Sequence, residues 1–343
     1  MIMYLLQNVS LAAYSTMRLG GIAAYLTEVT TRQEVVEAVQ WSESQHLPVI
    51  MIGSGSNIIW RDEGFPGLVI VNRIQFVEPL GEGNLRYITA GAGVVWDDFV
   101  AQVTAQGLTG IECLSLIPGT VGATPIQNVG AYGQEVSSSI MTLEVYDRQT
   151  KQLVNLRSSE CEFGYRTSRF KTKEKGRYFI TAVTFFLNLE PPSPPYYDAV
   201  SRYLEEHQIK EVTSQVLREV VSTIRRARLP DPATIANNGS FFANPIISGE
   251  QFLELRADNP EMMYWATDDD QIKLSAAWLI EHAGFKDVHD PETGMATWPQ
   301  QALVLINESA HSTAQLLAFK KKIVDAVEMK YHVTLQQEPE LLP

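Results

Sequence analysis

At 343 residues the chain is long enough for two or three domains and can bury about 75% of the surface its extended form exposes. Hydrophobic residues make up 45% and charged residues 20%, an ordinary globular balance that excludes disordered, collagenous and repeat-array classes. Acids outnumber bases 40 to 27, and a net charge of −13 repels phosphate backbones and anionic lipid, so no nucleic acid or membrane partner is expected and any anionic ligand needs a local basic cluster.

Met1 to Leu6 is apolar, but no Lys or Arg precedes Arg18 and no small-residue cleavage site follows, so no signal peptide is expected. No apolar run reaches the roughly 18 residues of a membrane span, which points to the cytoplasm. From Ala24 onward short strands alternate with helices: AYLTEV as strand, TRQEVVEAVQWSESQ as a helix capped by Thr31, LPVIMIG as a strand ending in glycine. The loop GSGSNII follows, then the strands GLVIVN and RYITAGAG and the helix WDDFVAQVTAQG, closing on Gly107. Ile117 to Gly133, IPGTVGATPIQNVGAYG, is too rich in Gly and Pro for a helix or central strand and reads as a long, ordered, functional loop. MTLEVYDRQT and RYFITAVTFFLNL are strands, and EPPSPPYYD, with prolines at 191, 192, 194 and 195, is an exposed connector near a domain boundary. Beyond it come the helices VTSQVLREVVSTIRRAR and SAAWLIEHAG, the strand QALVLIN and a last helix, STAQLLAFKKKIVDAVEMKYH. Cys113 and Cys161 are isolated, which fits a reducing compartment without disulfides.

Gly53-Ser54-Gly55-Ser56-Asn57 directly follows a strand, where glycines allow positive φ and let backbone N–H groups approach a pyrophosphate. It is no Rossmann fingerprint, because Ile58 holds the third glycine position, and no Walker lysine follows. Gly119, Gly122, Gln127, Asn128, Gly130 and Gly133 supply a second glycine loop; a dinucleotide lying against both loops and two unrelated turns both remain open. Basic residues concentrate at Arg166, Arg169, Lys171, Lys173, Lys175 and Arg177, facing Glu174, and again at Arg225, Arg226 and Arg228. On so acidic a chain such clusters suggest phosphate-bearing ligands, although most of these lysines fit a solvated loop; Arg166 differs in sitting between aromatics in FGYR. Ser240 precedes two aromatics in NNGSFFANP, without a nucleophile elbow, and His46, His207, His282, His289, His311 and His332 show neither metal spacing nor a triad order, so no metal is expected. Glu338 and Glu340, in QQEPEL, read by composition alone as solvated tail acids.

GSGSNII, IPGTVGATPIQNVGAYGQEV, CEFGYRTSRFK, LPDP, NNGSFFANP, AAWLIEHAG and QQALVLINE occur in this order and span the chain from about residue 10 to its end. Together they resemble the bacterial UDP-N-acetylenolpyruvoylglucosamine reductases, in the longer form that carries a tyrosine loop over the substrate. The resemblance implies an α+β protein: an FAD-binding domain of the PCMH or vanillyl-alcohol-oxidase type in two halves over residues 15–190, the proline-rich tyrosine loop over 191–210, and an α+β substrate domain over 211–343. It implies FAD against Gly53, Ser54, Gly55, Ser56 and Asn57 and against Ile117, Pro118, Gly119, Gly122, Gln127, Asn128 and Gly130, held non-covalently because neither loop has a histidine to tether it. The activity implied is reduction of UDP-N-acetylglucosamine enolpyruvate to UDP-N-acetylmuramate with NADPH as co-substrate, by a cytoplasmic monomer.

By the same resemblance Arg166 matches the catalytic arginine that holds the substrate carboxylate, Ser240 the proton donor and Glu338 the catalytic glutamate. The family usually reads Leu-Glu-Pro-Glu where this chain has Leu335-Gln336-Gln337-Glu338; counting without a gap selects Glu338, whereas anchoring on Glu-Pro-Glu selects Glu340. Tyr196 is the expected loop tyrosine, with Tyr197 as its alternative, and Tyr165, Arg225, Arg228 and Asn244 are expected around the substrate. A flavin oxidase on the same domain type, or a nucleotide-sugar binding module without catalysis, are the competing readings; retention of Arg166, Ser240 and an acid near the end weighs against the latter.

Overall fold

In the computed structural model, which describes residues 4–80, 86–267 and 270–343, the chain divides into two compact units whose segments alternate along the sequence. The first comprises Met1–Val9, Ala23–Gly55 and Phe65–Ala227, the second Ser10–Ile22, Ser56–Gly64 and Arg228–Pro343.

In the first unit a small sheet has the strand order Leu6–Ser10, Ile22–Val29, Phe65–Asn72, Val49–Ile52, and its central strand pairs in parallel with both neighbours. Covered on both faces, that strand is the near-continuous apolar run a parallel sheet requires: Leu68, Val69, Ile70 and Val71 are fully buried. The helix Arg32–Ser44 starts where expected, because Thr31 Oγ1 accepts the Glu34 N–H at 3.2 Å while Glu34 Oε2 accepts the Thr31 N–H at 3.1 Å. Its Val35, Ala38 and Val39 pack with Leu68, Ile70, Tyr146 and Phe179. The larger sheet is antiparallel, in the order Gln152–Arg157, Ile140–Asp147, Tyr178–Phe186, Tyr87–Gly91, Val77–Pro79. The helix Trp96–Ala105 lays Trp96 and Phe99 on Phe185, with ring centroids 6.0 and 4.9 Å apart, and Gly107 ends it at φ +77°. Burial on this scale makes Phe99→Ala cost about 3–5 kcal/mol.

Within the expected tyrosine loop over 191–210, Asp198–Glu206 is a helix that buries Val200 and Leu204. This helix and Ser214–Arg228 form one apolar cluster with Cys113 through Val200, Leu204, Leu217, Val220 and Val221, inside the first unit, whose last segment runs to Ala227.

In the second unit an antiparallel sheet runs in the order Asn237–Ser240, Gln301–Asn307, Met295–Trp298, His289–Asp290, and a three-stranded one in the order Ile246–Ser248, Gln271–Leu274, Tyr264–Ala266. The helix Thr313–Tyr331 buries Leu316, Phe319, Ile323, Val327 and Tyr331 in their common core. The expected helix at SAAWLIEHAG is Ala276–Ile280, widened over Glu281–Phe285 and stopped by Gly284 at φ +93°. The chain ends as a strand, Glu340–Leu342, parallel to Ile58–Trp60. No helix among the described residues is long and apolar enough to cross a membrane.

Candidate active site

The two glycine loops meet within the first unit. A Cβ at Gly53 would lie 2.3 Å from Thr120 Oγ1, so Gly53 is the contact point between them. Gly55 has φ +74° and Gly119 φ +143°, backbone that side chains rarely adopt. The N–H groups of Ser54, Gly55, Ile117 and Gly119 find no acceptor among the described residues, and Gly55 is buried. N–H groups left open on two loops that touch at Gly53 fit an anionic group such as the pyrophosphate of a dinucleotide. Gly122 packs closely on Ala92: its N–H donates to the Ala92 carbonyl at 2.9 Å, and a Cβ would meet that of Ala92 at 2.4 Å. Pro118 is exposed and Gln127 half-buried on the second loop, while the Asn128 side chain turns inward at 1% exposure. Ser56 and Asn57 fall in the second unit, where their carbonyls accept Asn238 Nδ2 at 3.1 Å and the Glu340 N–H at 2.9 Å.

Arg166 occupies the third position of a tight turn closed by paired bonds between Gly164 and Thr167, with φ +55°. That position normally takes Gly or Asn, and an arginine there is a strained residue of the kind that collects at functional sites. Its Nη2 donates to the Gly130 carbonyl at 2.6 Å and its guanidinium lies 5.3 Å from the Tyr165 ring. A Cβ at Gly130 would lie 3.0 Å from Arg166 Nη1, so a larger residue there would press the guanidinium to shift by a few tenths of an ångström.

In the surrounding basic segment, whose density suggested a phosphate cluster, at least three cations are held by acids of the fold. Arg169 pairs with Glu174, Lys173 with Glu162, and Arg177 with Asp147 at 2.8 and 2.9 Å and with Glu174 at 2.8 Å. The Arg177 hydrogen bonds outweigh burial and hold the Asp147 carboxyl at about 2, well below the ordinary 3.8. Arg225 is half-buried; burial pulls its guanidinium below the usual range against the opposing pull of Tyr132 and Asp97. Arg218 grips Asp97 bidentately at 2.6 and 2.9 Å and so joins the helices Trp96–Ala105 and Ser214–Arg228. Tyr196 packs into the Cys113 cluster with its hydroxyl on the Pro192 carbonyl at 2.9 Å, whereas Tyr197 is exposed and meets the Tyr132 ring edge-on at 5.5 Å. Both line a cavity of about 370 Å³ walled by the prolines of the loop and by Glu112, Cys113 and Gln134. Burial pushes the Cys113 and Cys161 thiols up to about 12, so neither offers a thiolate.

The second unit assembles the other expected residues. Ser240 is exposed at the end of its strand, anchored by the fully buried Phe241 and Phe242, and its hydroxyl has no hydrogen-bond partner among the described residues. The C-terminal segment pairs with this stretch: the Glu338 N–H donates to the Phe241 carbonyl and the Ala243 N–H to the Gln336 carbonyl, each at 2.9 Å. This puts Glu338 beside the residue that follows Ser240, and Glu340 beside Asn57. Asn244 is half-buried, and its Oδ1 accepts the Ala276 N–H at 3.0 Å. Arg228 is exposed, with its carbonyl accepting Trp298 Nε1 at 3.1 Å. Asn238, absent from the expected set, donates through Nδ2 to Thr16 Oγ1 and to the carbonyls of Ser56 and Ile58 at 3.1, 3.1 and 3.3 Å. Its only sequence signal is the doubled Asn of NNGS.

Residues 23–155 match the FAD binding domain family, and residues 231–342 match the C-terminal domain of UDP-N-acetylenolpyruvoylglucosamine reductase. The chain is 38% identical over 334 residues to the UDP-N-acetylenolpyruvoylglucosamine reductase of Ralstonia nicotianae, covering 96% of each. It is 38% identical over 336 residues to the enzyme of that name from Pseudomonas putida, covering 98% of each. The crystal structure of the Thermus caldophilus enzyme superposes with a TM-score of 0.68 at 23% identity over 100% of both chains, which shares the fold. The α+β class, with an FAD-binding domain followed by a distinct C-terminal domain, is as the resemblance implied. With likeness of this degree along almost its whole length, the chain belongs to the UDP-N-acetylenolpyruvoylglucosamine reductase family.

Proposed function

We propose that the protein reduces UDP-N-acetylenolpyruvoylglucosamine to UDP-N-acetylmuramate with FAD and NADPH, as a cytoplasmic monomer supplying peptidoglycan synthesis. The observation that carries the reading is the 38% identity over nearly the whole chain with a reductase of this name, joined to an exposed Ser240 whose hydroxyl has no partner among the described residues and whose following residue, Phe241, is met by Glu338. Among the residues expected to hold FAD, the Ser54, Gly55, Ile117 and Gly119 N–H groups fit its pyrophosphate. When bound, FAD supplies the two-electron relay between NADPH and the enolpyruvyl double bond.

Hydride addition at the methylene carbon leaves carbanion character on the carbon beside the carboxylate, spread as an enolate. Arg166 holds that carboxylate through its planar fork and meets the growing charge with a fixed cation. Ser240 gives its proton to the carbon, a transfer feasible for a neutral hydroxyl because the acceptor is a strongly basic carbon centre; the alkoxide regains a proton from solvent. Glu338, in its protonated form, shares the enolate charge. Arg225, Arg228, Asn244 and Tyr165 are assigned to the diphosphate, sugar and carboxylate surroundings. For the loop, Tyr197 is the tyrosine that this conformation leaves exposed, and Tyr196 anchors it through Pro192.

Anaerobic incubation with NADPH and UDP-N-acetylenolpyruvoylglucosamine should give a product heavier by two hydrogens, formed one for one with NADPH consumed. Substrate recovered unchanged from flavin-loaded protein would refute the reading.

A further inference from the structure

We propose that Asn128, with Glu135, is a positioning residue for Arg166 and not a contact to the cofactor. The inference rests on the reading of Arg166 as the holder of the substrate carboxylate.

Asn128 is 1% exposed, and both ends of its amide are engaged by the protein. Its Nδ2 donates to Glu135 Oε2 at 2.8 Å and to the Gly164 carbonyl at 3.2 Å, while its Oδ1 accepts the Ser137 N–H at 3.1 Å. Two acceptors on one side and a backbone donor on the other fix the direction of the amide. Gly164 opens the turn that carries Arg166. Glu135 lies on the hairpin in which it pairs with Gly130, and the Gly130 carbonyl receives Arg166 Nη2. One buried amide therefore ties the backbone from which the arginine departs to the hairpin on which its guanidinium rests. A Cβ on Gly130 would lie 3.0 Å from both Arg166 Nη1 and Glu135 Cγ, so guanidinium and glutamate stem close over the same face of that residue. An arginine held at φ +55° needs such a restraint, because the turn can otherwise relax and swing the fork away from bidentate register.

The test uses the FAD-loaded enzyme and three readouts: FAD affinity, flavin reduction by NADPH, and reoxidation by the enolpyruvyl substrate. Asn128→Ala is expected to slow reoxidation about 100-fold while FAD affinity and reduction stay within about threefold of wild type. In an Arg166→Ala background the same substitution should cost less than about threefold more, since no guanidinium remains to be placed. Glu135→Ala, at a half-buried position, should show the same pattern more weakly and serves if Asn128→Ala does not fold. Asn128→Ala that weakens FAD about tenfold or more and slows both half-reactions alike would overturn the proposal, as would an effect undiminished without Arg166. Wild-type reoxidation in Arg166→Ala alone would instead overturn the role of Arg166 on which the inference stands.

Discussion

Ser240→Ala removes one hydroxyl from an exposed position whose neighbours Phe241 and Phe242 hold the strand in place, so the fold should survive it. On the proposed role of Ser240 as proton donor, the variant should slow reoxidation by substrate roughly 10³-fold and leave reduction by NADPH untouched; equal slowing of both steps would mean a binding defect. Glu338→Ala should share the selective loss and Glu340→Ala should not, because the Glu338 N–H reaches the Phe241 carbonyl whereas the Glu340 N–H reaches that of Asn57; rapid-mixing absorbance of the two variants decides between them. At this scale the sequence showed which residues to expect but not how they are held. FGYR marks Arg166, yet its supports Asn128, Gly130 and Glu135 lie some thirty or more positions away in the chain, where no periodicity connects them. An asparagine in a glycine loop can face a cofactor or brace the fold, and the local sequence does not say which; its burial and its hydrogen bonds to Glu135, Gly164 and Ser137 are what support the bracing role proposed above.

The strands and helices with strong apolar patterns were legible, and so were the Thr31 cap and the stop at Gly107. The helix Asp198–Glu206 was not, because the proline run before it dominates a local reading, while its partners Cys113 and Leu217 are remote in sequence. Ion pairing between elements was equally hidden: the basic run around Arg169 acquires acids from the strand Ile140–Asp147 and from Glu162, which turn an apparent anion site into a brace. That brace has a pH signature. The folded pKa of Asp147, about 2, lies below its ordinary 3.8, so its stabilisation is complete above about pH 4 and is lost as pH falls through about 2. Asp147→Asn should cost about 2 kcal/mol at neutral pH, and the gap from wild type should close in acid when both are unfolded by urea at a series of pH values. A gap independent of pH would contradict the pairing with Arg177.

For the whole molecule, the net charge of −13 takes on a narrower meaning. NADPH and the UDP-sugar are both anions, and Arg169, Lys173 and Arg177 of the basic segment are already held by acids of the fold, so local cations must draw both ligands in against an unfavourable overall field. The interleaving of the two units could not be read from local pattern, because short stretches such as Ser56–Gly64 join the C-terminal unit by pairing with the last strand. The central claim is a flavin that passes electrons from NADPH to an enolpyruvyl sugar nucleotide. It is tested most directly by the visible absorption of the purified protein under anaerobic conditions. The account predicts a yellow protein that bleaches on adding NADPH and regains its colour on adding UDP-N-acetylenolpyruvoylglucosamine. A colourless protein that releases no FAD on denaturation, or a bleached one that regains colour only with oxygen while forming hydrogen peroxide, would contradict it.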